Sequence, residues 1–186
     1  MSIADSEITS AVTAYLDRYP NEKALLAEPI RLLGQGHDFA SRRTFPMHVT
    51  VGALLTRGGT EVLLVGHLAY GITLQPGGHL EPTDTTLIGA AVRELVEETG
   101  IDADAVVAVS EEPVYIEYGW VPARPLKDEP EHFHLDIGYA FATVAGDVGC
   151  IQESEVTSAA WYPLGEAQRL VGARIARVSD APARMG

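Results

Sequence analysis

The sequence predicts an α/β protein of the α+β kind: a mixed β-sheet flanked by helices, with a helical extension at its N-terminus. Three observations carry this. Apolar residues recur at helical spacing before residue 34 and again between residues 86 and 99, while residues 47–67 and 106–162 hold short β-branched and aromatic runs. Turn-forming Gly and Pro separate these segments. The 186-residue length suits one principal domain, expected over residues 41–186, behind an extension at 1–40.

In chain order, Ile8, Val12, Tyr15 and Leu16 share a helix face, Tyr19-Pro20 breaks it, and Leu25, Leu26, Leu32 and Leu33 begin a second apolar set. Gly34-Gln35-Gly36 marks a loop. Strands are expected over 48–55 and 61–67, joined at Arg57-Gly58-Gly59 as a hairpin. Gln75-Pro76-Gly77-Gly78 reads as a turn. From Thr86 to Thr99, Leu87, Ala90, Ala91 and Leu95 mark a helix that Gly100 stops. Further strands are expected over 106–109, 114–118, 133–144 and 159–162, then a helix over 164–170. Pro122, Pro125 and Pro130 make the stretch from Gly119 to Glu131 a long loop of the kind that carries function.

Composition narrows the class. Apolar residues at 46% and charged ones at 21% match an ordinary globular chain. With 26 acidic and 13 basic side chains the formal charge is -13, which disfavours nucleic acid polymers and anionic membrane surfaces as partners. A lone Cys150 excludes an intrachain disulfide framework, and the first ten residues lack a signal-peptide pattern, so a cytoplasmic setting is expected. The N-terminal helices offer a surface that could cover a sheet edge or form a homodimer contact.

The chemistry-bearing segment is Arg93-Glu94-Leu95-Val96-Glu97-Glu98-Thr99-Gly100-Ile101. Steps of three and four put Glu94, Glu97 and Glu98 on one helix face. Like charges repel at that spacing, and the helix C-terminus favours cations, each term costing from a few tenths to about 1 kcal/mol. A divalent cation would reverse the sign of the interaction, and hard carboxylate oxygens suit Mg2+, with Mn2+ next. Arg93, four residues before Glu97, can pair with it. For an isolated cluster a solvated acidic face would be the better reading. What changes the balance is Gln75-Pro76-Gly77-Gly78-His79-Leu80-Glu81-Pro82 just upstream.

Together these segments resemble the Nudix hydrolase signature: a glycine, five residues, a glutamate, seven residues, then Arg-Glu, an aliphatic residue, any residue, Glu-Glu, any residue, Gly and an aliphatic residue. Gly78 matches the first position and Arg93 to Ile101 match the second half; the resemblance is carried by residues 75–101. One departure stands out. Asp84 occupies the glutamate position, with eight residues instead of seven before Arg93, and either Asp84 or Glu81 is a candidate for the missing carboxylate. The resemblance implies an α/β/α sandwich. It also implies metal ligation by Glu94, Glu97, Glu98 and the Gly78 carbonyl, with Glu98, Glu97 and Arg93 as catalytic residues. The implied reaction is attack of water on phosphorus in a nucleoside diphosphate linked to another group, cleaving a pyrophosphate bond.

Weaker signals surround this core. Glu153 and Glu155 are alternative bases to Glu98. Alternation places His132, His134 and Asp136 on one strand face and Phe133 and Leu135 on the other. For that polar face substrate contact is the favoured reading, and zinc, for want of a closed ligand set, the lesser one. Arg124 and Lys127 are candidates for phosphate contact, and Tyr70, Tyr118 and Trp120 for base stacking, although packing or solvation explains each singly. His48, His67 and Arg57 carry no chemistry that spacing defends. The competing class is a catalytically silent Nudix-fold module that senses a nucleotide or sugar-nucleotide; the intact glutamate trio favours the enzyme, and an assay on a nucleotide panel separates the two. An acidic calcium-binding or protein-interaction domain fits least, because the loop ligand pattern of an EF-hand is missing.

Overall fold

The computed structural model describes residues 3–68, 71–125, 128–144 and 147–179. Helices α1 (Asp5–Arg18) and α2 (Ala27–Leu33) lead into strand β1 (Met47–Arg57). Then follow β2 (Glu61–His67), β3 (Ile72–Leu74), β4 (Gly77–His79), α3 (Leu87–Thr99), β5 (Val107–Ala108), β6 (Tyr115–Val121), β7 (His132–Thr143), β8 (Val156–Pro163) and α4 (Leu164–Val171). The sheet runs β3-β2-β1-β7-β5, with β4 also paired to β1, β6 to β7 and β8 to β2. It is mixed: β1 and β7 are parallel from Met47↔Phe133 to Arg57↔Thr143, whereas the other pairings are antiparallel.

Central β1 is buried along ten of its eleven residues, which explains its near-continuous apolar texture. Its odd-numbered residues Met47, Val49, Val51, Ala53 and Leu55 join one core cluster with Leu87, Ala90, Ala91 and Leu95 of α3. Leu54 faces the other way, into a second cluster with Val62, Leu64, Ala140, Ala167 and Ile175. Helices therefore cover both sheet faces, the sandwich that the resemblance implied. Ile8, Val12, Tyr15, Leu26, Leu32 and Leu33 of the N-terminal helices belong to the α3-side cluster. Asp5 accepts from the Phe39 backbone N–H at 2.8 Å, and Arg177 donates to Tyr15 and Glu22, fastening α1 and the turn after it to the body of the protein.

Several expectations need adjustment. Gln75 to Gly78 is not simply a turn: Gly77–His79 is β4, paired with Thr50, Val51 and Gly52. Three residues of β-structure between glycines leave no period to read, and the pairing comes from β1. The proline-punctuated loop starts later than expected, because β6 runs on through Gly119 and Trp120 to Val121, held by partners on β7. Strand β8 starts at Val156 instead of Ala159, drawn out by its ladder to β2. Only Val107 and Ala108 of the 106–109 run pair, as β5. Among the described residues no helix is long and apolar enough to cross a membrane.

Candidate active site and a neighbouring histidine cluster

Helix α3 is set by local sequence. The Thr86 side chain accepts from Gly89 N–H at 3.1 Å, an N-cap usually worth about 1 kcal/mol. Gly100 ends it in the left-handed region at φ 65°, where other residues are strained. With Leu87, Ala90, Ala91 and Leu95 buried against the sheet, Glu94 and Glu98 meet β4, and Glu97 lines the cavity beside it. There the Gly77 N–H donates to Glu98 Oε2 at 2.9 Å. A Cβ on Gly78 would lie 2.6 Å from the Glu94 carboxyl carbon, so a side chain there would displace the Glu94 carboxylate from its present position.

Arg93 organises the cluster. Its Nε donates to Asp84 Oδ1 at 3.0 Å and its Nη2 to Asp84 Oδ2 at 2.9 Å. From the same guanidinium, Nη1 reaches Glu94 Oε1 and Glu97 Oε2, each at 3.0 Å, and Nη2 reaches the His79 carbonyl at 2.9 Å. Asp84 thus fills the supporting position that the longer spacing had left open. Its Oδ2 also accepts from the Glu81 N–H at 2.7 Å, while the exposed Glu81 side chain stands aside. The extra residue is absorbed in this short loop. Burial works to raise the Asp84 carboxyl, but hydrogen bonds from Arg93 and the Glu81 N–H outweigh it and hold the group below its ordinary range.

Glu94 and Glu98 are in the opposite condition. Glu98 is only 1% exposed; burial, assisted by Glu94 and Glu155, pushes it up to about 8 despite the Gly77 N–H. Burial likewise raises Glu94 to about 7 against the pull of Arg93. One guanidinium, that of Arg93, is shared among Asp84, Glu94 and Glu97, too little positive charge for this set. Buried, undercompensated oxygen donors beside a glycine backbone fit a hard divalent cation.

Two cavities, of about 600 and 470 Å³, meet here and share Arg42, Gly78, His79 and Glu155. The first reaches Glu94 and Glu97; the second is also lined by Gln75, Arg124, His134, Asp136 and Arg174. Strand alternation holds: His134 and Asp136 face this cleft, while Leu135 enters the α3-side core. Asp136 Oδ2 accepts from the Tyr115 hydroxyl at 2.9 Å and Oδ1 from Thr50 Oγ1 at 3.1 Å; burial nonetheless raises its carboxyl. Gln75 Nε2 donates to Tyr115 Oη at 2.8 Å, and Arg174 donates to Gln75 Oε1.

Arg124 lines the cleft and lies 4.0 Å from Glu129; Lys127 and Tyr70 lie outside the described residues. Tyr118 stacks on Phe133 with centroids 4.5 Å apart, whereas Trp120 is exposed. Arg57 packs over Trp161 and pairs with Glu61. Of the two later-loop glutamates, Glu155 lines both cavities. Sequence reading passed over Arg42 and Arg174, isolated polar residues in segments without a motif, and gave Gln75 no role of its own.

It also set His48 aside and gave His79, within the glycine segment, no role. Both meet His134 at the cleft floor, with ring centroids 4.7 to 5.2 Å apart, and His132 stacks on His48 at 4.7 Å. Burial first, then neighbouring histidines, push the His48 imidazole down to about 4 and His134 to about 3; burial depresses His79 too. The rings are therefore neutral at physiological pH.

With this geometry in place, comparison with known proteins is informative. The family model of the NUDIX domain matches residues 46–180. Phosphatase NudJ of Escherichia coli K12 is 49% identical over 61 residues, which span 32% of this chain and only 39% of NudJ. Among solved structures, a Caenorhabditis elegans Ap4A hydrolase binary complex superposes with a TM-score of 0.57 at 19% identity, covering 71% of this chain and 95% of that one. The NUDIX domain of Shewanella oneidensis NrtR complexed with ADP ribose gives 0.50 at 21% identity, over 81% and 96%. At such identities these structures establish a shared fold.

Proposed function

Since this chain belongs to the Nudix hydrolase family, we propose that it is a metal-dependent hydrolase of a phosphoanhydride bond in a nucleoside diphosphate linked to another group, acting in the cytoplasm. The observation that carries the reading is the approach of Glu94 to Gly78 and of Glu98 to Gly77, with Glu97 tied to Glu94 through Arg93 and Arg93 pinned by Asp84. Glu94, Glu97, Glu98 and the Gly78 carbonyl would hold Mg2+, or Mn2+, which supplies positive charge to the phosphate oxygens and acidifies water.

The protein's own groups do the rest. Arg93 keeps Glu94 and Glu97 from diverging, so the ligands are arranged before substrate arrives. Arg42, Arg124 and Arg174 at the cleft give the phosphates local positive charge within a chain of net charge -13, and His134 contacts the substrate. The attacking water loses its proton to Glu155. That carboxylate lines both cavities, whereas Glu94 and Glu97 are engaged by Arg93 and Glu98 by Gly77.

The test is a panel of mutagenic nucleotides, dinucleoside polyphosphates, nucleotide sugars and coenzyme pyrophosphates, assayed with Mg2+ and with identification of products. Wild type is expected to release a monophosphate or pyrophosphate that Glu98→Gln does not. A panel that both proteins bind and neither cleaves would replace the enzyme with a sensing module.

A further inference from the structure

His48, His79 and His132 take no part in the reaction above, and the arrangement they form with His134 is specific. Register brings them together: His48 of β1 is the parallel partner of His134 on β7, and Thr50, two residues along β1, is the partner of His79 on β4. Period-two alternation puts His48 on the face that carries His132, His134 and Asp136. One ring nitrogen from each of His48, His79 and His134 lies within 4.8 Å of the others.

The partners of two rings decide their tautomers. His48 Nδ1 sits 3.3 Å from the Thr44 carbonyl, which can only accept, so Nδ1 carries the proton and Nε2 the lone pair. That Nε2 is buried with no hydrogen-bond partner, in a side chain only 2% exposed. A buried acceptor left unsatisfied ordinarily costs stability. His132 Nδ1 likewise donates to the Pro130 carbonyl at 2.8 Å, leaving its Nε2 to accept from His134 Nε2 at 3.2 Å. His134 Nδ1 then keeps its lone pair. Carbonyl-backed imidazoles presenting the opposite nitrogen are the usual support for metal ligands.

The geometry points to a second metal site, in which His48, His79 and His134 bind one borderline divalent ion of the zinc type, oriented by His132 and leaving a coordination position open to the cleft. Three imidazoles suit Zn2+, Ni2+ or Co2+ and are poor ligands for Mg2+. Tetrahedral ligation at ~2.0–2.1 Å requires nitrogens about 3.3 Å apart, so small ring rotations close the present spacing. Thr44 and Pro130 fix the ring edges that face inward. His79 follows Gly78 directly in β4, so one strand would serve two ions of different hardness: a backbone carbonyl toward the carboxylates and an imidazole toward the histidines.

The test uses the full chain, stripped with chelator and held in excess Mg2+ to occupy the carboxylates. Zn2+ is titrated by calorimetry, and Co2+ by visible absorption. One equivalent is expected to bind, with an intense tetrahedral cobalt spectrum, in wild type and in Glu98→Gln. His48→Ala and, independently, His134→Asn should each weaken binding at least tenfold and erase that spectrum, with far-UV circular dichroism reporting folding. His134→Asn stands on a half-buried side chain, so it keeps the test alive if His48→Ala does not fold. Absence of binding to wild type overturns the site. So does binding that survives both histidine substitutions, or that disappears in Glu98→Gln.

Discussion

The carboxylate helix and the histidine cluster approach the same cleft from opposite sides of β4, and they handle buried polar groups in contrasting ways. Glu94 and Glu98 are carboxyls forced upward by burial, short of positive charge and crowded by Glu97 and Glu155. The imidazoles of His48, His79 and His134 are forced the other way, into the neutral form. One region stores unfavourable charge; the other stores unused lone pairs. The contrast shows how a fold can place hard oxygen donors and borderline nitrogen donors side by side without mixing them: the carboxylates come from α3, the imidazoles from β1, β4 and β7.

The largest effect should come from the residue at the boundary. Glu155→Gln is expected to lower kcat by about 10²–10⁴-fold, the usual range for losing a general base. Zn2+ stoichiometry at the histidines should not change. If kcat holds, the proton acceptor belongs to α3 and the boundary residue serves neither side.

Asp84→Ala comes next and acts on the carboxylate side alone. It removes both oxygens that receive Arg93, so Glu94 and Glu97 lose their common anchor. A supporting residue of this kind is typically worth about 10–100-fold in metal affinity or activity. The apparent Mg2+ requirement should rise, measured as activity against metal concentration, and Asp84→Glu should recover part of it.

The smallest effect separates the regions by sign, in chelator-stripped protein. Glu98 is at about 8 when folded against an ordinary value of 4.5, so the native state binds the extra proton and stability falls as pH rises across that interval. Glu98→Gln should therefore be the more stable protein at pH 8, with the advantage shrinking toward pH 5. His134, at about 3 against 6.5, behaves oppositely: the unfolded chain takes up the proton, and stability is lost as pH falls below 6.5. His134→Asn should flatten that acid limb. Thermal melts are sensitive enough, at ~2–4 °C per kcal/mol for a chain of this size. Parallel slopes in the two variants would erase the contrast.

Much of the first region was legible without coordinates. Helical spacing brings Glu94, Glu97 and Glu98 to one face whatever surrounds them, and Thr86 and Gly100 bound the helix through hydrogen bonds that span a single turn. The alternation that turns His134 and Asp136 away from Leu135 is equally local. Short strands were less readable, because β4 and β5 are too brief for a period and exist through their partners.

Sequence alone determined the acidic helix and the polar face of β7, since each depends on residues within a turn or two of one another. Only the tertiary structure decided that Asp84 holds Arg93, that Glu155 overlooks both cavities, and that His48, His79 and His134 meet. Those encounters depend on sheet register and loop closure between distant segments. No local periodicity records which strand lies beside which, and a one-residue slip of β7 against β1 would send its histidines to the opposite face.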